Sequence, residues 1–473
     1  MFKVVVVGGG ISGMASAFLI KEALSAANIE HDLKVIEAAE QPGGKVKTFK
    51  GSGFTCETGS NGFLDNKPLS LELVSKVGAD DLLLRSDESA ALRFIYAKGR
   101  LHQLSANPMK LMLDDLLSVS GRIRLILEAF GKKRPEGIDE SIADFARRRV
   151  GKDAFEMLID PMVSGIHAGN PEELSLKSCF QRMYEMETEY GSLTKALLAL
   201  KKNKGKQKSG GGPSGPGGRL TSFKGGLGQI IEKISDKLGE NSLICGQPVE
   251  RVTRLTSAGR PGYQVDFAPE TGLKPLAADV VIFTSPTFAT SKITKELDPK
   301  FSEIHSNILY SKVNVICLGF PKADFDANAH GFGFLIPSRE QRKILGCLWT
   351  SSIFPDYRAP DDYVLLRAMV GGTRHPERTE LDDEATLKMV LSELRDIMGV
   401  TCKPDFVQIF RHPWAIPRYQ IGHADRLDKI EKRLTDLPGI FTAGNAYEGI
   451  GFNDCIISAN KAAAAVKGYL SNP

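Results

Sequence analysis

The stretch VVVVGGGISG, residues 4–13, determines the fold class of this chain of 473 residues. The run Lys3–Val7 is apolar and β-branched, which is typical of a strand buried on both faces. Residues Ile11–Ala27 have a helical pattern, and Leu33–Glu37 form a second strand-like run. Because these three segments follow one another directly, we expect a βαβ unit at the N-terminus and an α/β fold.

The glycines between the first strand and the helix have the spacing GxGxxG. Gly8 allows the tight turn, Gly10 lets the backbone approach a pyrophosphate, and Gly13 lets helix and strand pack closely. The helix N-terminus then offers free N–H groups to the phosphate charge. Glu37, which lies 24 residues after Gly13, can accept hydrogen bonds from a ribose diol and disfavours the 2′-phosphate of NADP. The spacing predicts a dinucleotide site and leaves NAD and FAD open.

A second glycine pair, in Gly43–Lys45, follows Glu37 within one loop, where the backbone could again come close to phosphates. It resembles part of a Walker A loop, but Val46 stands where that motif needs Ser or Thr to bind magnesium, which excludes it. Further buried-strand runs occur at Asp279–Thr284 and Gly439–Gly444. Alternating segments predict a mainly antiparallel sheet: Val249–Leu255, Tyr263–Phe267, Val313–Phe320, Phe332–Ile336 and Tyr363–Val370.

The composition limits the classes of function. With 42% hydrophobic and 25% charged residues the chain is typical of a globular protein, and its net charge of +4 gives no uniform field for nucleic acid. Seven cysteines, an odd number without a CxxC, argue against a disulfide framework or zinc site and favour a reducing compartment. No apolar run approaches the roughly 18 residues of a spanning helix. We therefore expect a protein on the cytosolic side, without a metal.

Two segments are candidates for contact with a membrane surface. Residues 201–218 (KKNKGKQKSGGGPSGPGG) form a predicted flexible linker whose lysines are either simply solvated or attracted to anionic headgroups. Met109–Phe130 contains two short amphipathic helical patterns. The first has Met109, Met112, Leu113, Leu116 and Leu117 on one face, and the second has Ile123, Ile126, Leu127 and Phe130, flanked by Arg122, Arg124, Lys132, Lys133 and Arg134. Either the pair packs on the core, or it lies in the membrane interface.

Longer motifs identify a family. Near the ends of the chain these are GGGISG (8–13), EAAEQPGGKVKTF (37–49), ETGSNGFL (57–64) and FTAGNAYEGIGFNDCI (441–456). In between stand LRFIYAKGRL (92–101), GIHAGNPEELS (165–175), FKGGLGQI (223–230), GFGFLIPSREQ (331–341) and RYQIGH (418–423). Together they resemble the flavin-containing amine oxidase superfamily, and the middle motifs resemble the protoporphyrinogen oxidase family within it. The resemblance extends essentially from end to end.

The resemblance implies FAD as the cofactor. It implies FAD contacts at Gly8, Gly9, Gly10, Ile11, Ser12, Gly13, Glu37, Ala38, Gly44 and Lys45. Gly59, Ser60, Asn61 and Gly62 would lie beside the isoalloxazine, Val249 near the adenine through its backbone, and Asn445, Ile450, Gly451 and Phe452 near the ribityl chain and pyrophosphate. Asn445 stands where the wider superfamily usually has Asp, and an amide can still hydrogen-bond a ribityl hydroxyl.

The resemblance also implies an oxidoreductase that acts on CH–CH groups through the flavin, without a catalytic side chain. The implied reaction removes six electrons from protoporphyrinogen IX, in porphyrin and haem synthesis, and reduces O2 to H2O2. Arg93 would clamp a substrate carboxylate, Phe332, Leu335 and Met369 would form apolar walls, and Gly165 would make room for the ring. His167 is interpreted as a packed polar residue.

Three alternatives stay open: oxidation of coproporphyrinogen III, which a wider and more basic pocket would favour; another FAD-dependent amine oxidase or desaturase; and a flavin-binding protein without turnover. The partners implied are the porphyrinogen, O2 and a peripheral membrane surface, on the cytoplasmic or an organelle membrane. A homodimer and a downstream ferrochelatase are further expected partners, and nucleic acid is not.

The predicted architecture is a discontinuous Rossmann-like FAD-binding domain in three parts, 1–85, 221–286 and 405–473. Residues 86–200 are expected to form an α-helical membrane-associating domain, residues 201–220 the linker, and residues 287–404 a mixed-sheet substrate-binding domain.

Overall fold

A parallel sheet of five strands forms one half of the protein. The computed structural model describes residues 1–105, 114–134, 137–203, 218–255 and 262–471. In spatial order the strands of this parallel sheet are Leu243–Ile244, His31–Ile36, Phe2–Val7, Val280–Phe283 and Ile440–Thr442. Phe2–Val7 pairs with a neighbour on each side, at Val4↔Leu33 and Val4↔Val280. It is therefore a central strand, and its four valines, residues 4–7, are buried, as their uninterrupted run predicts.

The two faces of the parallel sheet carry different layers, because successive side chains of a strand point to opposite sides. Val4 and Val6 pack under the helices Ile11–Ala26, Gly228–Leu238 and Phe452–Ser471. Val5 and Val7 face a three-stranded antiparallel sheet (Val249–Leu255, Gly262–Phe267, Leu276–Ala278) and the helices Thr287–Ile293, Pro299–Ser306 and His423–Thr435.

A seven-stranded mixed sheet forms the other half. Its strands, in spatial order, are Phe406–His412, Val313–Pro321, Tyr363–Gly371, Gly346–Trp349, Gly333–Leu335, Arg93–Ala97 and Arg100–Leu104. Only the pairing of Gly333–Leu335 with Arg93–Ala97 is parallel. One face packs against the helix Asp383–Met398 through Val390 and Leu394. We call the opposite face the cavity face.

Shorter elements connect the two halves. They include a hairpin, Thr48–Gly51 with Phe54–Glu57, and a small sheet of Phe63–Leu64, Leu220–Phe223 and Leu83–Arg85. The remaining helices are Pro68–Lys76, Val119–Ile126, Ile142–Arg149, Lys152–Ala154, Asp160–His167, Leu176–Cys179, Gln181–Tyr190, Leu193–Asn203 and Thr350–Ile353, with a π-helical turn at Phe155–Ile159. Within the described residues, no helix is both long enough and apolar enough to cross a bilayer.

The predicted α/β class is confirmed, while the prediction of one mainly antiparallel sheet is wrong in its grouping. Val249–Leu255 and Gly262–Phe267 belong to the separate three-stranded sheet, because their apolar side chains pack on the parallel sheet. The hairpin Arg93–Ala97/Arg100–Leu104 lies in the range predicted to be helical, and Phe406–His412 in the last predicted FAD part, yet both pair in the seven-stranded sheet. The domain partition stays a prediction.

Part of the predicted membrane segment lies outside the described residues. This applies to Met109, Met112 and Leu113, and to residues 204–217 of the linker. Residues 201–203 of the predicted linker instead end the helix Leu193–Asn203. Leu116 and Leu117 are buried against Ile95 and Met157, so they belong to the core. The second apolar pattern is exposed, which is taken up below.

Candidate active site

The glycine-rich turn lies at the carboxyl end of Phe2–Val7 and leads directly into the helix Ile11–Ala26. A Cβ atom added at Gly13 would collide with the carbonyl oxygen of Gly8 and lie 2.6 Å from the Thr284 hydroxyl, so this position accepts only glycine. At Gly10, which caps the helix, an added Cβ would meet no atom within 4 Å. Gly13 therefore closes the turn against the sheet, and Gly10 faces open space at a helix N-terminus, as a pyrophosphate site requires.

Glu37 follows the neighbouring strand and reaches back to this turn. Its carboxylate accepts hydrogen bonds from the backbone N–H of Gly9 at 2.6 Å and from that of Ala39 at 2.8 Å. The backbone carbonyl of Glu37 accepts a hydrogen bond from the N–H of Gln247 at 3.0 Å. This bond brings the start of the strand Val249–Leu255 next to Glu37. A carboxylate has about four acceptor sites, so Glu37 can hold the turn and still accept from a ribose.

The second glycine pair lies against the first turn. The N–H of Gly43 donates to the carbonyl of Gly9 at 2.7 Å, and a Cβ added at Gly44 would lie 3.2 Å from the Cα atom of Gly10. Lys45 then places its Nζ atom 5.3 Å from the centre of the Tyr310 ring. Burial lowers the pKa of Lys45 to about 8. A desolvated cation beside a glycine cradle favours an anionic group there.

The loop 59–62 and the C-terminal helix meet next to this lysine. A Cβ added at Gly59 would collide with the carbonyl oxygen of Lys45, so the two backbones are in close contact. Both polar atoms of the Asn61 side chain are buried and have no hydrogen-bond partner among the described residues. Phe452, the first residue of its helix, stacks on Phe63 at 4.8 Å. Such buried orphan groups are expected where a ligand completes the hydrogen bonding.

The segment around Asn445 is held by Tyr419. The Tyr419 hydroxyl donates to the carbonyl of Asn445 at 2.6 Å and accepts from the N–H of Gly449 at 2.9 Å. Gly451 donates its N–H to Asp454 at 3.0 Å. These bonds leave the Asn445 side chain available to a ligand.

Three of the predicted FAD residues have buried side chains. The side chains of Ile11 and Phe452 belong to the apolar core beneath the parallel sheet, and Ser12 is buried. Ala38 is exposed beside Glu37 and Ile450 is half-buried. The glycine cradle, the cation Lys45 and the orphan amide Asn61 fit a dinucleotide that carries a flavin.

The cavity face of the seven-stranded sheet brings together the residues predicted to bind substrate. One cross-strand row consists of Arg93, Gly333, Leu348 and Arg367, and the next of Ile95, Leu335, Gly346 and Met369. Paired residues of adjacent strands share a face, as do residues two apart. Arg93, Leu335 and Met369 therefore lie on one face, together with Gly333 and Gly346, which add no side chain to it.

Arg93 and Phe332 form the rim of this face. The guanidinium carbon of Arg93 lies 4.8 Å from the centre of the Phe332 ring. The Nε atom of Arg93 is buried without a hydrogen-bond partner among the described residues, and burial lowers the pKa of the side chain. Phe332 and Met369 pack around Leu348 and Ile353. An aromatic ring and an unsatisfied cation at an apolar wall suit an apolar ligand with an anionic substituent.

Gly165 approaches the same wall from the helix Asp160–His167. A Cβ added there would lie 2.6 Å from the Cδ2 atom of Leu335. His167, two residues on, is buried and meets the ring of Phe180 edge-on at 5.6 Å. Burial lowers the pKa of His167 to about 4, so it is neutral at physiological pH. This agrees with its interpretation as a packed residue.

The sequence analysis missed three features of the site. Arg367, buried in the strand Tyr363–Gly371, donates to the carbonyl of Gly59; a single charge inside the apolar run YVLLRAMV was a usable signal. Tyr419 lies in the quoted motif RYQIGH, but its contacts depend on the fold. The third is an aromatic wall beside Lys45, in which Phe288 lies 5.7 Å from Tyr310 and 4.6 Å from Trp414.

Comparisons with known proteins agree with this geometry. The flavin containing amine oxidoreductase family model matches residues 11–467. The chain is 30% identical to a coproporphyrinogen III oxidase of Bacillus subtilis (strain 168), covering 99% of this chain and 98% of that one. It is also 30% identical to a chloroplastic protoporphyrinogen oxidase of Nicotiana tabacum, covering 99% of this chain and 86% of that one.

Solved structures share the fold. A protein from Exiguobacterium sp. 255-15, provisionally identified as a protoporphyrinogen oxidase, superposes with a TM-score of 0.82 at 25% identity, over 98% of both chains. Cyclohexylamine oxidase from Brevibacterium oxydans IH-35A superposes with a TM-score of 0.69 at 16% identity, over the full length of both chains, and supports the fold alone. The resemblance seen in the sequence motifs and the assignment of FAD are confirmed, and this chain belongs to the flavin containing amine oxidoreductase family.

Proposed function

We propose that the protein is an FAD-dependent oxidase that converts protoporphyrinogen IX to protoporphyrin IX. Six electrons and six protons leave the substrate in three two-electron steps, and each step reduces one O2 to H2O2. The observation that carries the proposal is Arg93, a half-buried arginine whose Nε atom is buried without a hydrogen-bond partner among the described residues, at the edge of an apolar sheet face. That arrangement suits an apolar macrocycle bearing propionates, and relatives named for porphyrinogen oxidation support it.

In this proposal the side chains bind and orient, and bound FAD supplies the two-electron acceptor. Gly8–Gly13, Glu37 and Lys45 hold the dinucleotide, and residues 59–62 with Asn445 lie along its ring and ribityl chain. Arg93 holds one propionate through a charge-assisted hydrogen bond. Arginine stays protonated at physiological pH, so neither Arg93 nor Arg367 acts as a base.

The apolar residues of the cavity face set the space available. Leu335, Met369 and Phe332 exclude water from the macrocycle, while Gly333 and Gly346 add no side chain to the wall and Gly165 lets its helix pack closely on Leu335. Because a porphyrinogen is flexible and bulky, a wall without side chains at Gly333 and Gly346 can admit it in more than one orientation. That is needed if successive carbon bridges are to reach the flavin.

Coproporphyrinogen III is the second candidate substrate, because a cleft with several basic residues lies beside the helix Asp160–His167, which carries Gly165. The cleft has a volume of about 540 Å³ and is lined in part by Arg374, His375 and Arg378. Arg374 lies within hydrogen-bonding distance of Asn170 at 3.2 Å and pairs with Asp160 at 2.6 Å. Ser164, next to Gly165, and Ile336, next to Leu335, line the adjoining space. Additional cations near the cavity favour a substrate with four carboxylates.

The deciding experiment is an aerobic fluorescence assay of the purified yellow protein with both porphyrinogens side by side. The ratio of the two kcat/KM values measures the preference. A ratio above about ten for protoporphyrinogen IX, or roughly 1.4 kcal/mol, supports the first candidate, and the inverse ratio the second. A colourless protein that takes up no FAD, or a yellow one that forms no fluorescent porphyrin from either substrate, contradicts the proposal.

We further propose that the protein docks peripherally on a membrane through the helix Val119–Ile126 and the turn Leu127–Phe130. Their apolar side chains point to solvent, with Phe130 83% and Ile126 64% exposed. Leu197 and Leu198 of the helix Leu193–Asn203, which packs against this turn, are also exposed. Exposed apolar side chains beside lysines and arginines are typical of interfacial binding. The expected homodimer and ferrochelatase contacts stay predictions.

Flotation with vesicles that contain anionic lipid tests the docking. Ile126→Ser/Phe130→Ser should lose most of the vesicle-bound fraction, because the apolar anchor is gone. The matched control Leu309→Ser/Ile421→Ser removes apolar side chains that are 47% and 44% exposed elsewhere, and it should float like the wild type. Equal flotation of all three proteins would exclude this surface.

A further inference from the structure

Arg367 is a buried cation for which the described protein provides no acid partner. It is 4% exposed, and its Nε atom has no hydrogen-bond partner among the described residues. Glu57, the buried carboxylate of this region, lies 3.6 Å from Arg358 and acts on Arg367 through its electrostatic field, without an ion pair. Burying a charge that has no ion-pair partner is costly, so a guanidinium in this position calls for an anionic group that arrives with a ligand.

The thiols around Arg367 do not supply that anion. A hydrogen bond to Cys317, followed by burial, raises the pKa of Cys56 far above its usual range. Burial raises the pKa of Cys347 to about 12. Cys56 and Cys347 are therefore neutral at physiological pH and do not balance the charge of Arg367.

The position of Arg367 connects the two halves of the proposed site. On one side it donates to the carbonyl of Gly59, in the loop where the isoalloxazine is proposed to lie. On the other it stands in the same cross-strand row as Arg93, three strands away, or about 14 Å at the usual strand spacing. Met369, two residues on, belongs to the apolar wall. Arg93 is thus at the rim of the cavity face, and Arg367 at its inner end.

Reduction of a flavin by hydride adds one unit of negative charge to the ring system, and a nearby cation lowers the energy of that charge. We propose that Arg367 is a positioning and electrostatic residue, which holds the loop at Gly59 and stabilises the negative charge that the flavin acquires on reduction. The inference rests on the proposed location of FAD and on no particular substrate. It assigns separate tasks to two arginines of one row: Arg93 binds substrate, and Arg367 tunes the cofactor.

The test uses the full-length protein loaded with FAD and its affinity for sulfite, which adds to flavins and also leaves the ring negatively charged. Arg367→Gln keeps a hydrogen-bond donor without the charge, and its sulfite dissociation constant should rise at least about tenfold, or roughly 1.4 kcal/mol. Arg367→Lys keeps the charge and should stay within about threefold of the wild type. Arg367→Gln should also lower kcat while leaving KM for the porphyrinogen nearly unchanged.

Arg358→Gln is the matched control. Arg358 is fully buried and donates to the Ser222 hydroxyl at 2.8 Å rather than to Gly59. Its loss should lower the melting temperature and leave the sulfite dissociation constant within about threefold. A sulfite affinity of Arg367→Gln equal to that of the wild type, or reduced equally in Arg358→Gln, would overturn the inference.

A measurement on the wild type keeps the inference testable if Arg367→Gln does not fold. The fully reduced cofactor should keep its deprotonated spectrum at mildly acidic pH, where free reduced flavin becomes protonated. A neutral reduced spectrum under those conditions would overturn the inference. Failure of the proposed function is distinguishable, because it would leave the protein without flavin or without porphyrin formation, whereas failure of this inference leaves both intact.

Discussion

The nucleotide end of the site and the cavity face are built in opposite ways. At the nucleotide end, Gly8, Gly13 and Glu37 belong to one βαβ unit, and their contacts are set by the local course of the backbone. On the cavity face, Arg93 and Met369 come from strands more than 250 residues apart in the chain and share a face only through strand pairing and register. The first is therefore specified by short motifs, and the second by tertiary pairing.

Gly13→Ala is expected to have the largest effect, because the nucleotide end depends on close backbone contact. The added Cβ would collide with the Gly8 carbonyl. Flavin content should fall below about a tenth of the wild-type value, and the free energy of unfolding by about 1–3 kcal/mol. The ratio of flavin to protein absorbance, with thermal unfolding, measures both.

The matched control is Gly468→Ala, inside the helix Phe452–Ser471, where an added Cβ meets nothing within 4 Å. Alanine favours a helix over glycine by about 1 kcal/mol, so this variant should be at least as stable as the wild type and fully flavinated. If the Gly13→Ala protein keeps its flavin, the turn tolerates a Cβ atom and is less strictly determined by its sequence than the cavity face.

The same contrast explains which parts of the fold and of the site could be predicted from the sequence. The GxGxxG spacing, the acid at Glu37 and the buried valine strand were predictable, because each depends on residues close together in the chain. Arg93, Phe332, Leu335 and Met369 were named only through family resemblance, since alternating polarity does not reveal which strands pair. The grouping of Val249–Leu255 with the seven-stranded sheet failed for that reason.

The hairpin Arg93–Leu104 shows why the pairing of its strands could not be predicted from the sequence. Its turn residues Lys98 and Gly99 both have positive φ, at 53° and 78°, as a two-residue hairpin turn requires. A strand at Phe94–Tyr96 was predictable, but its parallel partner Gly333–Leu335 lies some 240 residues away. The single charge in an apolar run indicated that Arg367 is buried, but its contact with Gly59 has no local signature in the sequence.

Arg93→Ala should give the next largest effect. It should weaken substrate binding at the cavity face and leave FAD binding unchanged. Loss of a charge-assisted hydrogen bond costs about 1.5–3 kcal/mol, so kcat/KM for the porphyrinogen should fall by roughly 10- to 150-fold, mostly through KM. Steady-state kinetics at full FAD occupancy measure it. Arg85→Ala, which removes a side chain that is 67% exposed and lies 3.4 Å from Asp65, should leave kcat/KM unchanged. Wild-type kinetics in Arg93→Ala would remove the proposed clamp.

Gly165→Ala should have a smaller effect, because a side chain rather than the backbone must give way. The added Cβ would lie 2.6 Å from Leu335 Cδ2, so the flexible end of the Leu335 side chain must shift. A change of one methyl group in an apolar pocket is worth about 1 kcal/mol or more, so we expect kcat/KM to fall about tenfold. The double variant Gly165→Ala/Leu335→Ala should recover part of the lost kcat/KM. If the effects of the two substitutions on kcat/KM were strictly additive, the two residues would not share a wall.

Lys45 should give the smallest effect, and one that depends on pH. Burial lowers its pKa from 10.5 to about 8 in the cofactor-free protein, so the cation that would bind phosphate is lost as the pH rises through 8. The dissociation constant for FAD should rise about fourfold between pH 7 and 8.5, with one linked proton. In Lys45→Met the dissociation constant for FAD should be larger than in the wild type at pH 7, and it should not change with pH over that range.

The stability of the cofactor-free protein should increase as the pH rises, whereas the affinity for FAD should decrease. Between pH 8 and about 10.5 the unfolded chain keeps the Lys45 proton that the folded protein has released. Unfolding then takes up a proton, so the contribution of Lys45 to stability increases with pH over this window. Lys45→Met should abolish that increase, which urea unfolding of the cofactor-free protein at several pH values would detect. A pH-independent FAD affinity in the wild type would place Lys45 outside the phosphate site and leave Gly8–Gly13 to hold the pyrophosphate through backbone N–H groups alone.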